Sequence, residues 1–249
     1  MRAILTYHSI DDSGSPISVS PAAFRAHCAF LASGRVRVVG LAELMQGDDV
    51  TGDTVAITFD DGFENTASMA WPPLADHGLA ATVFVVPGHV GGFNDWGGRR
   101  TASVPHLPLM SWEGLGRLAE AGATLGAHTT THANLASLGA NEVADELDSC
   151  VTAMRERSGV APSTFAYPYG GTSPMAAAAV RSRFTLGVTT ELRLVGRDED
   201  AALLPRLDMY YFRGPGALES WGEPGFFARL WTRRIGRQAR AWLQAGGVA

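Results

Sequence analysis

Three short stretches hold side chains whose types and spacing could do hydrolytic chemistry. Thr58-Phe59-Asp60-Asp61-Gly62 closes the apolar run Val55-Ala56-Ile57, so two carboxylates sit side by side where a β-branched strand stops. Successive strand residues face opposite ways, so Asp60 and Asp61 cannot share a site while both stay extended, and Gly62 is where the chain can turn. Such a pair suits one carboxylate holding a metal while its neighbour moves protons; two solvated acids in a loop before a helix cap are the plain alternative. His128-Thr129-Thr130-Thr131-His132 begins at another strand end. If the chain turns helically after His128, the two rings converge. With one carboxylate they complete a two-histidine, one-carboxylate set that leaves positions open for water. Pro168-Tyr169-Gly170-Gly171 follows a third strand, in a turn able to present the Tyr169 main-chain N–H to developing negative charge.

Strands must carry these stretches to a common place. Apolar or β-branched runs at 2–7, 36–39, 82–86, 124–127, 165–167, 186–190 and 203–207 predict strands besides the one ending at Asp60. Helices alternate with them. Ser20-Pro21 opens a helix with Phe24, Cys28 and Leu31 on one face, and a short helix covers 41–45. A further helix over 65–77 is broken at Pro72-Pro73. Ser111 caps 112–121, 141–157 carries the stripe Val143, Leu147, Val151 and Met154, and Ser173-Pro174 opens the next helix. This alternation implies parallel strands with helices outside, and about seven or eight such units suit a barrel. Loops of two kinds remain, a turn-rich one at 47–52 and a long Gly-rich one at 87–109. The long loop carries Asn94, Trp96, Arg99 and Arg100. Loops of that length are usually functional, and Asn94 and Trp96 are the candidates for touching a substrate, by amide hydrogen bonds and ring stacking.

With 249 residues, 46% hydrophobic and 18% charged, the chain has the make-up of a soluble globular protein. A net charge of −5 offers nucleic acid no general attraction, although all 20 basic residues are Arg. Met1 leads directly into a strand without a signal peptide's apolar segment, and no run nears the roughly 20 apolar residues of a membrane span, so a cytoplasmic location is expected. Cys28 and Cys150 lack neighbours at metal spacing and read as reduced structural thiols. Residues 1–213 are expected to form the barrel, with 214–249 a linker and a basic helix over 226–243. Leu230, Trp231, Ile235 and Trp242 are placed on one side of that helix, beside Arg229, Arg233, Arg234, Arg237 and Arg240. It could lie on an anionic membrane, or pack its aromatic side on the barrel.

Taken in order, Thr58-Phe59-Asp60-Asp61-Gly62, His128-Thr129-Thr130-Thr131-His132 and Pro168-Tyr169-Gly170 resemble the polysaccharide deacetylases of carbohydrate esterase family 4, the NodB-like fold. By that resemblance Asp61, His128 and His132 are metal ligands, Asp60 is the catalytic base, and the Tyr169 amide helps stabilise the oxyanion. The implied fold is a distorted (β/α) barrel of about seven parallel strands. Zn is the first choice of metal, while Co, Ni or Fe suits the same donors. Two departures stand out. Ala166 occupies the place of the family's arginine, and no histidine follows His132, so the late general acid is missing. The form Phe165-Ala166-Tyr167-Pro168-Tyr169-Gly170 and the opening Leu5-Thr6-Tyr7-His8-Ser9-Ile10 look like the circularly permuted poly-N-acetylglucosamine deacetylase branch, where the acid comes from the first strand. That makes His8 the candidate acid, and Arg206 the candidate replacement for the missing arginine. The implied activity is metal-dependent removal of N-acetyl groups from an amino-sugar-containing oligo- or polysaccharide, in exopolysaccharide or envelope biosynthesis. A deacylase of another amide, such as an N-formyl sugar or a non-carbohydrate, and a non-catalytic saccharide-binding relative are the competing readings. Of the remaining histidines, His27 and His77 read as surface or core-edge residues and His89 and His106 as weak substrate contacts.

Overall fold

The strands are near-continuous apolar runs because both faces of their sheet are covered. The computed structural model describes residues 1–45, 52–98 and 101–246, with side chains to 237. The predicted loop at 47–52 therefore lies almost wholly outside the described residues, as do Arg99 and Arg100 and the side chains of Arg240 and Trp242. In chain order the elements are β1 Arg2–Tyr7, β2 Ser9–Ile10, β3 Ser18–Val19, α1 Pro21–Ala32, β4 Arg37–Val38, α2 Leu41–Leu44 and β5 Thr54–Phe59. There follow α3 Trp71–Asp76, β6 Ala81–Val85, α4 Trp112–Glu120, β7 Thr124–Ala127, α5 Ala140–Ser158 and β8 Thr164–Ala166. The chain ends with α6 Pro174–Arg181, β9 Leu186–Val188, β10 Leu207–Asp208 and α7 Pro224–Gly246.

Seven strands run parallel in the order β10-β1-β5-β6-β7-β8-β9, with β4 beside the start of β5 and β2 paired with β3 separately. The sheet curls. Residues 204–208 reach both its ends, through a bridge from Leu204 to Val188 of β9 and the pairing of Leu207 and Asp208 with Leu5 and Thr6. This is the expected distorted barrel of the NodB-like fold. The strand predicted over 203–207 shrinks to Leu207–Asp208, because Pro205 has no N–H to give a ladder.

Alternation along the strands separates two cores. Ala3, Leu5, Tyr7, Val55, Ile57 and Phe59 belong to the large cluster under the helices. Ile4, Ala56, Phe84, Ala166, Val188 and Leu204 form the smaller one inside the curl. Ser20, Ser111 and Ser173 cap α1, α4 and α6 as predicted, each accepting from the amide three residues on. The helix predicted over 65–77 becomes a π-helical stretch Thr66–Ala70 followed by α3, since Pro72 and Pro73 remove two N–H donors and open the preceding turn. His27, expected at the surface or the core edge, is fully buried: it donates from Nε2 to the Phe212 carbonyl at 3.2 Å and accepts from the Tyr7 hydroxyl at 3.0 Å.

The segment predicted as a linker buries Ala217, Leu218 and Trp221. On α7, Phe226 and Leu230 pack inward while Trp231 and Ile235 face out, so the predicted single apolar side divides in two. Leu230 and Trp231 are consecutive, about 100° apart around a helix. Among the described residues no helix is long and apolar enough to cross a membrane.

Candidate functional site

Parallel pairing puts every strand's C-terminal end at one rim, and a cavity of about 350 Å³ opens there. His8, Asp60, Asp61, Asn94, Trp96, His106, His128, His132 and Tyr169 all line it. Residues on the inner face of the strands lead up to it. Ile4 and Thr6 precede His8, Ala56 and Thr58 precede Asp60, and Leu204 precedes Arg206 at the same two-residue period. The register Tyr7↔Phe59 makes His8 and Asp60 neighbours, with His8 Nε2 at 3.7 Å from Asp60 Oδ2.

Asp61 has the opposite parity and would point toward the helices. It is turned back by its own backbone, at φ +72°, and Gly62 follows at +73°. The turn thus begins one residue earlier than the glycine suggests, on an aspartate, one of the few side chains that tolerate this region. Its Oδ1 lies 3.4 Å from His128 Nε2 and 3.2 Å from His132 Nε2. The predicted helical turn between the histidines is absent. Thr129 and His132 instead adopt φ of +59° and +62°, and Glu146 of α5 ties the loop down by accepting from the amides of Thr130 and Thr131 at 2.8 and 3.0 Å and from the Thr131 hydroxyl at 2.6 Å. Glu146 escaped sequence reasoning, because nothing in the spacing of a helix acid marks loop residues fifteen and sixteen positions earlier.

A divalent ion suits these three donors on geometric grounds. His128 Nδ1 is 2.7 Å from the Ala166 carbonyl, which can only accept, so Nδ1 carries the proton and the Nε2 lone pair faces Asp61. Asp61 Oδ1 is buried with no hydrogen-bond donor, and the three ligand atoms lie within 4.8 Å of one another. Burial disfavours charge on Asp61, yet the two histidines outweigh it and hold the carboxyl well below the usual range. For His128 burial is overcome by Asp61 and Asp60 and the ring's value moves up, whereas for His132 burial prevails and it moves down.

Beneath the cavity, Arg206 is only 1% exposed and grips Asp60 with both arms, Nη1 to Oδ1 and Nη2 to Oδ2 at 2.7 Å each. Its Nε donates to the Thr189 carbonyl at 2.8 Å and Nη1 also to Thr58 Oγ1 at 3.2 Å. Burial opposes ionisation of Asp60, but the guanidinium's charge and hydrogen bonds dominate, and the carboxyl stays below its ordinary value. Tyr169 stands at φ +59°, its hydroxyl 3.0 Å from His132 Nδ1. Trp96 stacks on the other side of His132, ring centroids 4.2 Å apart and 22° from parallel, with His89 against its edge. Asn94 also lines the cavity, and its amide ties the loop, donating to the Pro105 carbonyl at 3.0 Å and accepting from the Leu107 amide at 2.8 Å. All seven residues named for chemistry thus gather at one end of the sheet, and Asn94 both lines the cavity and ties its loop.

Residues 47–186 match the sequence profile of the polysaccharide deacetylases. YxkH of Bacillus subtilis (strain 168), whose own assignment as a polysaccharide deacetylase is provisional, is 26% identical over 209 residues, 82% of this chain and 70% of YxkH. Among solved structures, IcaB from Ammonifex degensii aligns with TM-score 0.73 and 25% identity over 92% of this chain and 97% of IcaB. The Streptococcus pyogenes deacetylase PplD aligns with TM-score 0.70 and 19% identity over 83% and 91%, a likeness of fold. With the profile covering more than half its length and the curled sheet around it, this chain belongs to the polysaccharide deacetylase family.

Proposed function

We propose that the protein is a metal-dependent hydrolase that removes N-acetyl groups from an amino-sugar-containing oligo- or polysaccharide, within exopolysaccharide or envelope biosynthesis. The observation that carries this reading is the forked Arg206–Asp60 pair set beside the Asp61, His128 and His132 donors. Held by those donors, a divalent ion would supply an acidified water and a Lewis acid for the amide carbonyl. Zn suits two imidazoles and a carboxylate, and Co, Ni or Fe could replace it.

The remaining work falls to the chain's own groups. Asp60, kept ionised by Arg206, takes the proton of the attacking water. The Tyr169 main-chain N–H steadies the oxygen on which negative charge develops. His8, just past the end of β1 and 3.7 Å from Asp60 Oδ2, gives a proton to the leaving sugar amine and answers for the missing late histidine. Trp96 offers a ring face to the sugar while it braces His132. Asp60→Asn tests the scheme: the protein should keep its bound metal, measured by mass spectrometry, and lose at least about a hundredfold in deacetylation. An Asp60→Asn protein that retains full activity removes the base assignment and with it the mechanism. Assaying acetylated and formylated amino sugars side by side identifies the acyl group.

A further inference from the structure

Among the described residues, one face of α7 is left largely open to solvent. Phe226 packs on Phe212 and Trp221, with ring centroids at 5.3 and 5.0 Å, and Leu230 follows it inward. Arg233 and Arg237 lie over the Tyr211 ring at 5.6 and 5.9 Å, and Arg237 reaches Asp208 of β10 at 3.6 Å. Those residues dock the helix. Phe227, Trp231 and Ile235, spaced four apart, form a second stripe that is 42%, 65% and 44% exposed, with Arg234 exposed beside it.

We propose that this stripe is a reversible docking surface for an anionic phospholipid membrane. Five of the chain's 20 basic residues fall in 224–246 and none of its 25 acids does, so a strongly cationic helix sits on an otherwise acidic protein. Exposed aromatic and aliphatic side chains flanked by arginines match what a lipid interface accepts, rings at headgroup depth and guanidinium groups on phosphates. A second copy of the chain fits the face less well. Three side chains fall far short of the roughly 800 Å² per partner that a stable protein interface buries. The docked face also fixes an orientation. Arg237 meets Asp208, which ends β10 at the rim where the cavity opens, so the helix would hold that rim near the lipid.

The test is sedimentation of the full-length protein with vesicles of phosphatidylcholine alone or with about one third phosphatidylglycerol, over a salt series. Expected is binding to the anionic vesicles only, weakening as salt rises. Arg234→Glu should lower the partition coefficient roughly thirtyfold, the effect of two units of charge at such a surface. Trp231→Ser should lower it at least about tenfold, with circular dichroism and activity on a soluble substrate unchanged. Equal binding to both vesicle types, or unchanged binding in Trp231→Ser, overturns the proposal. So does a concentration-dependent dimer, seen by light scattering, that Trp231→Ser dissolves while vesicle binding is absent.

Discussion

Replacing Arg206 with Met removes one half of a buried ion pair and leaves the other half in place. Asp60 would then sit buried beside Asp61 without its two hydrogen bonds at 2.7 Å, and the Thr189 carbonyl would lose the donor at 2.8 Å. Breaking such a pair from one side costs about 3–5 kcal/mol, a large part of the ~5–15 kcal/mol that holds a domain together. For a chain of this size the melting temperature should fall by roughly 6–20 °C. Asp60→Asn exposes Arg206 to a similar loss, so the two substitutions share one interaction. Urea unfolding of both single variants and the double variant, followed by circular dichroism, measures that sharing. The double variant should be about as unstable as the worse single one, with a coupling of at least about 2 kcal/mol. Additivity to within about 0.5 kcal/mol would refute the claim that Arg206 stands in for the missing family arginine. Arg206→Lys separates charge from geometry: it keeps the charge, loses the fork, and should recover only part of the stability and activity.

Chelator treatment should abolish deacetylation, with Zn restoring it, and His128→Ala should lower metal content measured by mass spectrometry; full activity in metal-free buffer would exclude the three-donor site. Trp96→Ala removes the ring stacked on His132 and should weaken substrate binding, read as a raised KM, and metal retention together. Gly170 stands at φ +72° with an added Cβ only 2.0 Å from Thr190 Oγ1, so Gly170→Ala should cost more than about 1 kcal/mol in urea unfolding and lower kcat by moving Tyr169. Burial pushes the thiols of Cys28 and Cys150 up to about 12. At pH 8 almost no thiolate exists, so native protein should not react with a disulfide reagent until it is unfolded.

The sequence by itself determined the class of fold and singled out the side chains that the proposed chemistry uses. Alternating strand and helix signals demand parallel strands, parallel strands share a rim, and the Asp60-Asp61, His128 and Tyr169 stretches all close strands. Local chemistry was equally legible at the serine caps of α1, α4 and α6, since a cap depends on four consecutive residues. Departures of the motifs from the family pattern also pointed to His8 and Arg206, both of which lie outside the matched residues 47–186.

Only the tertiary structure decided how those groups meet. Asp61 enters the cavity through its own left-handed backbone, which no pattern of side chains announces. The histidine loop is shaped by Glu146 from another element and not by a helical turn. Asn94 ties its loop, and α7 divides its apolar residues between core and solvent. His8 and Arg206, 198 positions apart, reach the same carboxylate because β1 lies between β5 and β10. Strand order is a property of the whole folded sheet, and a one-dimensional reading has no term for it.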